Sequence, residues 1–285
     1  MKNKFILQSS GFKTSYLEEI ITTLNRFNIE WNDFGIIPNE NIITNLENIL
    51  EPDVNLIARG GTKFLGLLEE NKDLELLNSQ LSKEQIELKD LYLKKLISSI
   101  DYDVDRFDQE VYSLLDLPLL NSGAEYVKLK SLLYSTMEKE YFVKPSKDLK
   151  AFNGGLIYAD ETLMNYLMRT PHMNIEDIEE QTVILAAVQK IYSEYRFFMY
   201  KNEILGSSRY MLNGEVLPDT LVPEYISECA VEYSKLYMPN DLYVIDLCET
   251  DNGIKIVEYN CWNASGFYHC DIQNVICQIN EIKQT

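Results

Sequence analysis

Asp246, Glu258 and Asn260 are the residue types that bind a hard divalent cation, and two short runs near the end of the chain carry them. Leu242 to Cys248 and Ile254 to Asn260 alternate with period 2, and Asp251-Asn252-Gly253 between them supplies turn residues. Gly253 suits the left-handed position that closes a three-residue hairpin loop. With Asn252 at the apex, Asp246 falls opposite Glu258. Asn260 then shares their face, because side chains alternate along a strand. Two carboxylates and one amide oxygen suit Mg²⁺ held against nucleotide phosphates. A two-residue Asn252-Gly253 turn would instead set Asp246 opposite Tyr259 and scatter the ligands. Unbroken alternation puts Val244, Ile254 and Ile256 on the ligand face, with Ile245, Leu247, Val257 and Tyr259 on the other. Acids set into strands apolar on both faces are costly to bury unpaired, and a cation is the simplest compensation. A plain hairpin with one polar face is the bland alternative.

Two further segments carry charge at strand ends. Phe142-Val-Lys144-Pro145 ends a strand and leads into a lysine-bearing loop, Ser146 to Gly155, that includes Lys150 and closes on Gly154-Gly155. An ammonium there can pair with phosphate, helped by loop N–H groups; surface lysines on a hairpin are the competing account. Glu194-Tyr-Arg196 opens a second hairpin, turning at Lys201-Asn202, which Ser208-Arg209-Tyr210 closes. Glu194 and Arg196 project to one face with Arg209 expected close by, so arginine could clamp phosphate bidentately or form an ordinary surface ion pair. Asp101, Asp103 and Asp105 imitate the start of a calcium loop, yet Arg106 stands where glycine is needed and Tyr112 where a bidentate acid is needed. His269-Cys270 reads as a helix-entry or core pair rather than a metal or nucleophile site.

These residues need a scaffold, and 285 residues can bury a sizeable core in one large or two modest domains. The first 60 residues read βαβαβ: Phe5 to Gln8, a helix from Ser15 to Phe27 with a Ser15/Glu18 capping box, Ile29 to Ile37, a helix from Asn41 to Leu50, and Asn55 to Arg59. Gly60-Gly61 then makes a tight turn, with a ligand-holding helix entry as the lesser reading. Residues 69 to 116 are acidic and helical in pattern, with Leu74, Leu77, Leu81, Leu88, Leu91 and Leu96 as buried positions. Asn121-Ser122-Gly123 marks a boundary. Beyond it strands dominate, interleaved with helices at Asp160 to Arg169 and Pro223 to Tyr237, which predicts an α+β architecture with antiparallel sheets.

Composition narrows the function classes. Hydrophobic residues are 46% and aromatics 11%, enough apolar surface to exclude a disordered chain. A net charge of −19 argues against a general grip on nucleic acid or on an anionic membrane, since both require a positive field. No stretch of about 18 apolar residues is present, and the opening Met-Lys-Asn-Lys-Phe-Ile-Leu-Gln turns polar too soon for a signal peptide. Five cysteines without C-x-x-C spacing fit reduced thiols rather than disulfides or zinc. The expectation is a soluble cytoplasmic protein.

Taken in order, these segments resemble the ATP-grasp superfamily, and within it the clade named for one arginine and two lysines. The likeness runs through Phe142-Val-Lys144-Pro-Ser-Lys-Asp-Leu-Lys150-Ala-Phe, Glu194-Tyr-Arg196, Ser208-Arg-Tyr210, Val244-Ile-Asp246, Val257-Glu258-Tyr-Asn260 and Ala264-Ser265-Gly266-Phe267-Tyr268, covering roughly residues 120 to 275. It implies a small α/β pre-grasp domain over residues 1–120 with the acidic helical segment. Two α+β subdomains would follow, 121–190 with the phosphate loop and 191–285 with the metal hairpin, clasping ATP between them. Lys144 and Lys150 would meet the phosphates, the adenine edge would meet backbone at Ala187 to Ile191 with Gln189 and Lys190 as the nearest side chains, Glu194 and Arg196 would also bind the nucleotide, and Mg²⁺ would sit on Asp246, Glu258 and Asn260. Arg196 and Lys150 would be catalytic. Arg209, Ser265, Gly266 and Tyr268 would line the substrate pocket. The implied reaction joins a small-molecule or peptide carboxylate to an amine through an acyl phosphate, with catalysis by positioning and charge compensation. A small-molecule kinase on the same fold, or a non-catalytic ATP-binding protein serving a protein partner, are the alternatives. Against larger family members, the loop is short of glycine.

Overall fold

The computed structural model describes residues 2–8, 14–37, 42–44, 54–61, 104–147, 152–169 and 178–282. Three sheets make up the scaffold, and the family's α+β expectation matches their mixture of helices with largely antiparallel strands. In the first sheet, β1 (Lys2–Gln8), β2 (Glu30–Ile37), β3 (Ile42–Thr44) and β4 (Val54–Arg59) lie in the order β3-β2-β1-β4. β1 pairs in parallel with both β2 and β4, as the βαβ reading requires, with α1 (Thr14–Arg26) as the crossover between β1 and β2. The segment expected to start a helix at Asn41 instead opens with β3, antiparallel to β2; Ile42, Ile43 and Thr44 are all β-branched and favour the extended edge. Ser15's side chain, the leucines of the acidic segment, Asp101 and Asp103 lie outside the described residues.

The second sheet has the order β5-β8-β6-β7 and is antiparallel throughout, from β5 (Glu125–Lys128), β6 (Tyr141–Pro145), β7 (Gly155–Ile157) and β8 (Thr182–Ala186). Its separate core holds Leu129, Val143, Ile157, Leu163, Val183 and Leu185. The third sheet, β11-β10-β9-β12-β13, is also antiparallel, from β9 (Ile191–Tyr200), β10 (Glu203–Leu212), β11 (Glu215–Asp219), β12 (Leu242–Thr250) and β13 (Gly253–Cys261). Period-2 alternation gives this sheet two apolar faces. Tyr195, Phe197, Ile245 and Leu247 face α2 (Glu224–Leu236) through Ile226 and Ala230. Phe198 and Val244 face α3 (Ile272–Glu281) through Val275 and Ile276, in a cluster that continues into Ile20 and Leu24 of α1 and Phe5 and Leu7 of β1. Each such side chain contributes about 1.5–3 kcal/mol on burial, so this shared core anchors the first sheet to the third. Among the described residues no helix is long and apolar enough to cross a membrane, and all five cysteines are free thiols.

Candidate active site

Local irregularities in the third sheet and in the loop after β13 decide which side chains face the cleft between the second and third sheets. At the hairpin tip Thr250 pairs with Gly253, so Asp251 and Asn252 are the turn residues and Gly253 takes the left-handed φ of +88°. Continued unbroken, that register would set Asp246 against Val257. The pairing shifts between Asp246 and Leu247, leaving Val257 as the extra residue of a β-bulge, and Asp246 then faces Glu258 while Val244 faces Asn260. The bulge also turns the hairpin's outer half over. Ile256 packs with Leu247 and Tyr259, and Ile254 against the same cluster, rather than beside Glu258 as unbroken alternation predicts.

Arg196 lies directly opposite Asp246 across β9 and β12. Its Nε donates to Asp246 Oδ1 at 2.8 Å, its Nη2 to Oδ2 at 2.6 Å and its Nη1 to the Gly266 carbonyl at 3.0 Å. Asn260 Nδ2 donates to both Asp246 Oδ2 and Glu258 Oε1, each at 3.1 Å. From the second sheet, Lys144 Nζ reaches across to Glu258 Oε2 at 2.9 Å and the Val257 carbonyl at 3.4 Å. Arg196 and Lys144 thus cap the two ends of one chain of contacts whose middle is two acids joined by the Asn260 amide. Burial alone would raise the Glu258 pKa, but the Lys144 ammonium, then Arg196 and Asn260, hold it down to about 2. Burial opposes the charge on Arg196 as well, and Asp246 more than restores it, raising its pKa above the usual guanidinium value. Glu194, next to Arg196 on the same face, is buried and its pKa is raised, although Tyr210 donates a hydroxyl hydrogen bond to its Oε2 at 2.5 Å.

A second bulge shapes the other wall. The β9–β10 register shifts between Arg209 and Met211, which makes Tyr210 the extra residue. Its ring stacks on Tyr268 at 4.8 Å and 14°, and the Arg196 guanidinium lies 5.0 Å from the Tyr268 ring and 5.7 Å from that of Tyr210. Tyr268 holds φ +52°, a left-handed conformation that costs a non-glycine residue about 1–2 kcal/mol. A cavity of about 540 Å³ opens between these walls. Phe142, Leu156, Val188 and Val257 give it an apolar end beside the exposed segment Ala187–Gln189, and Lys144, Glu194, Arg196, Asp246 and Glu258 give it a charged one.

The donor set fits a hard cation. Glu258 keeps its charge at any ordinary pH, and an ionised carboxylate offers about four lone-pair sites, so Asp246 retains acceptor capacity beyond the bonds from Arg196. Asn260 directs its amide nitrogen at both acids and would present oxygen to a cation if the amide turned over. Among the described residues no three His, Cys, Asp or Glu side chains gather as a metal site, so the amide would be needed as the third ligand.

The family profile for the ATP-grasp domain, R2K clade family 2, matches residues 124–277, more than half of the chain. The chain belongs to this ATP-grasp clade. No curated protein matches it significantly. Solved structures share the fold over nearly the whole chain. A D-alanine–D-alanine ligase from Bacillus anthracis is similar at 12% identity and TM-score 0.54, covering 98% of this chain and 97% of its own. The ATP-grasp ligase PsnB, complexed with a variant precursor, Mg and ADP, is similar at 12% identity and TM-score 0.52, with 98% and 97% covered. A RimK domain ATP-grasp protein from Sphaerobacter thermophilus is similar at 11% identity and TM-score 0.52, with 96% and 98% covered.

Within this ATP-grasp fold, Lys144, Glu194, Arg196, Asp246, Glu258 and Asn260 come together, and Gln189 and Tyr268 join the cavity wall. Lys150 lies outside the described residues. Lys190 is exposed with its ammonium 4.6 Å from the Tyr192 ring centroid, away from the cavity lining. Arg209 is not brought to the site. It pairs opposite Tyr195, on the far face from Glu194 and Arg196, and bonds Asp219 at 3.1 Å; the bulge gives the near face to Tyr210 instead. Ser265 is buried with its hydroxyl on the Cys261 carbonyl, and Gly266 contributes its carbonyl to Arg196 rather than open space. The Gly60-Gly61 amides are taken by the Asn263 carbonyl and Gln8 Oε1, so that turn docks protein on protein. Gly154 and Gly155 serve close packing: a Cβ on Gly154 would meet Lys144 Cβ at 2.9 Å, and one on Gly155 the Tyr166 hydroxyl at 2.6 Å. Cys270 belongs to the core and His269 bonds the Pro218 carbonyl, the helix-entry reading.

Arg59 had no signal beyond a basic residue ending an apolar strand. It is fully buried, its guanidinium 4.3 and 4.4 Å from the Trp262 and Phe267 rings, and its Nη2 donates to the Ser265 carbonyl at 2.5 Å. The first sheet thereby holds the loop whose next carbonyl holds Arg196.

Proposed function

We propose that this chain is an ATP-dependent carboxylate–amine ligase that forms an amide or peptide bond with release of ADP and phosphate. The two acids Asp246 and Glu258, held between Arg196 and Lys144 across a cleft with one apolar end, carry this reading. An adenine fits the apolar end, its edge toward the backbone at Ala187–Gln189. Glu194 lies between that end and Arg196, placed to accept hydrogen bonds from ribose hydroxyls, and Lys144 is placed to exchange its contact with Glu258 for phosphate oxygens. Glu258, Asn260 and Asp246 would hold Mg²⁺, which supplies charge neutralisation to the triphosphate.

Arg196 supports phosphoryl transfer by resisting deprotonation and by being held on three sides, so its charge faces the transferred group without reorganisation. The acid's carboxylate oxygen attacks the γ-phosphorus and the bond to the β–γ bridging oxygen breaks, giving an acyl phosphate and ADP. The amine then attacks the acyl carbon, phosphate leaves, and the amine's proton passes to solvent or phosphate. No protein nucleophile is required. Tyr268, whose ring faces the cavity beside Arg196, is placed to contact the acceptor. The PsnB neighbour bound to precursor, Mg and ADP is consistent with a peptide or small-molecule substrate and with Mg²⁺. The free thiols and the need for ATP support a cytoplasmic setting for this reaction.

The test incubates the protein with ATP, Mg²⁺ and a metabolite and peptide extract, followed by mass spectrometry. A product equal to two components minus water, formed by wild type and absent with Glu258→Gln, is the expected result. A phosphorylated product with no amine requirement, or turnover unaffected by Glu258→Gln, would overturn it.

A further inference from the structure

A second cavity, of about 220 Å³, lies beyond the Lys144–Glu258 ion pair, sharing Lys144, Gly154 and Glu258 with the larger one. Asn260, Ser146 and Lys147 also line it, with Phe107, Tyr112 and Phe152 as apolar walls. Its polar lining sets two lysines and a hydroxyl beside the single Glu258 carboxylate. Lys144 and Lys147 both line this small space, and the Ser146 hydroxyl is buried with no hydrogen-bond partner among the described residues. Such a wall suits an anion, and it lies on the side of Glu258 where Asn260 stands.

We propose that this cavity receives the terminal phosphate of the nucleotide and that Lys147, which the clade's one arginine and two lysines do not include, is a phosphate-binding residue of this chain. The inference rests on the nucleotide reading of the larger cavity. Lys147 Nζ lies 2.8 Å from Asp105 Oδ1 and 3.9 Å from Asp108 Oδ2. Asp105 is the weaker competitor, because its side chain is 70% exposed and an exposed pair contributes little. Asp108 is buried and caps the helical turn Gln109–Tyr112 through Oδ1, which accepts from the Glu110 amide at 3.0 Å, and its Oδ2 stays beyond hydrogen-bond distance of Lys147. A triphosphate oxygen in the cavity offers Lys147 a more highly charged and better desolvated partner than Asp105. Lys147 therefore exchanges Asp105 for the γ-phosphate when ATP binds, and contributes little to a diphosphate that stops at Lys144.

The experiment measures dissociation constants of Mg·AMPPNP and Mg·ADP by calorimetry on the full chain, for wild type, Lys147→Met and Asp105→Asn. Lys147→Met is expected to weaken AMPPNP by about tenfold, as for loss of one charge-assisted hydrogen bond, and ADP by less than about twofold. Asp105→Asn is expected to tighten AMPPNP, by about twofold, because it removes the competitor. Lys147→Met changing both nucleotides equally, or neither, would overturn this assignment while leaving the nucleotide site standing. Wild type binding neither nucleotide would overturn both.

Discussion

Arg196 and Asp246 are opposite residues of neighbouring strands, and the guanidinium holds both carboxylate oxygens, at 2.8 and 2.6 Å, with each side chain under a tenth exposed. Removing one member leaves the other as a buried charge. Arg196→Met is therefore expected to destabilise the chain by about 3–5 kcal/mol, and Arg196→Met with Asp246→Asn by less than the sum of the two single changes. Urea unfolding of the four proteins measures the coupling. Strict additivity would show that the pair does not interact in solution.

Glu258 gives a pH signature. Its folded pKa, about 2, lies below the ordinary glutamate value of about 4.3, so its pairing with Lys144 adds stability that is complete above that value and lost as pH falls toward about 2. Wild type should exceed Glu258→Gln in stability at pH 6, and the gap should narrow steadily below pH ~4. Thermal unfolding along a pH series checks this, and a gap that widened on acidification would reverse the sign of the interaction.

The site was legible where chemistry is written in residue type and obscured where the backbone departs from regularity. Asp246, Glu258 and Asn260 converge as their spacing suggests, because an even separation keeps Glu258 and Asn260 on one face however the tip is built. The tip differs from the expected three-residue loop: a two-residue Asp251-Asn252 turn and a bulge at Val257 together give the pairing that the longer loop alone would give. Bulges carry no compositional mark, so the displacement of Ile256, and the exchange of Arg209 for Tyr210 at the cavity, could not be read from alternation. The first sheet followed from period and glycine punctuation, except that the β-branched run at Ile42 formed an edge strand. Arg59's role depends on residues more than 200 positions away, and no local pattern encodes that.

The two glycines that end the lysine-bearing loop fit tightly against the second sheet. Gly154→Ala would press on Lys144 Cβ at 2.9 Å, which is fixed to the backbone and cannot swing aside, and on the tip of the Phe142 ring at 3.0 Å. The expected cost is about 1–3 kcal/mol, with weaker Mg·AMPPNP binding as Lys144 is displaced. Gly155→Ala would displace the Tyr166 hydroxyl, which bonds the Asn153 carbonyl at 2.8 Å, and should lower stability with less effect on the nucleotide. Thermal melts and calorimetry separate the two; equal losses of affinity would contradict the geometry.

Arg59 tests whether the first sheet positions the site or only abuts it. Burial pulls its pKa down to about 9, so it remains charged at neutral pH, bonded to the Ser265 carbonyl and placed 4.3 and 4.4 Å from the Trp262 and Phe267 ring centroids. Arg59→Lys keeps the charge but loses the planar stack, whereas Arg59→Met loses both and leaves the carbonyl without that donor. If the loop is positioned by this contact, Gly266 shifts, Arg196 loses its third anchor, and the affinity for Mg·AMPPNP falls by about threefold to tenfold in Arg59→Met with partial recovery in Arg59→Lys. Trp262 reports the same event, since its emission changes when the guanidinium leaves its ring, with Trp31 as the chain's other tryptophan. Altered Trp262 emission together with unchanged nucleotide affinity would show that the first sheet packs against the loop without setting Arg196.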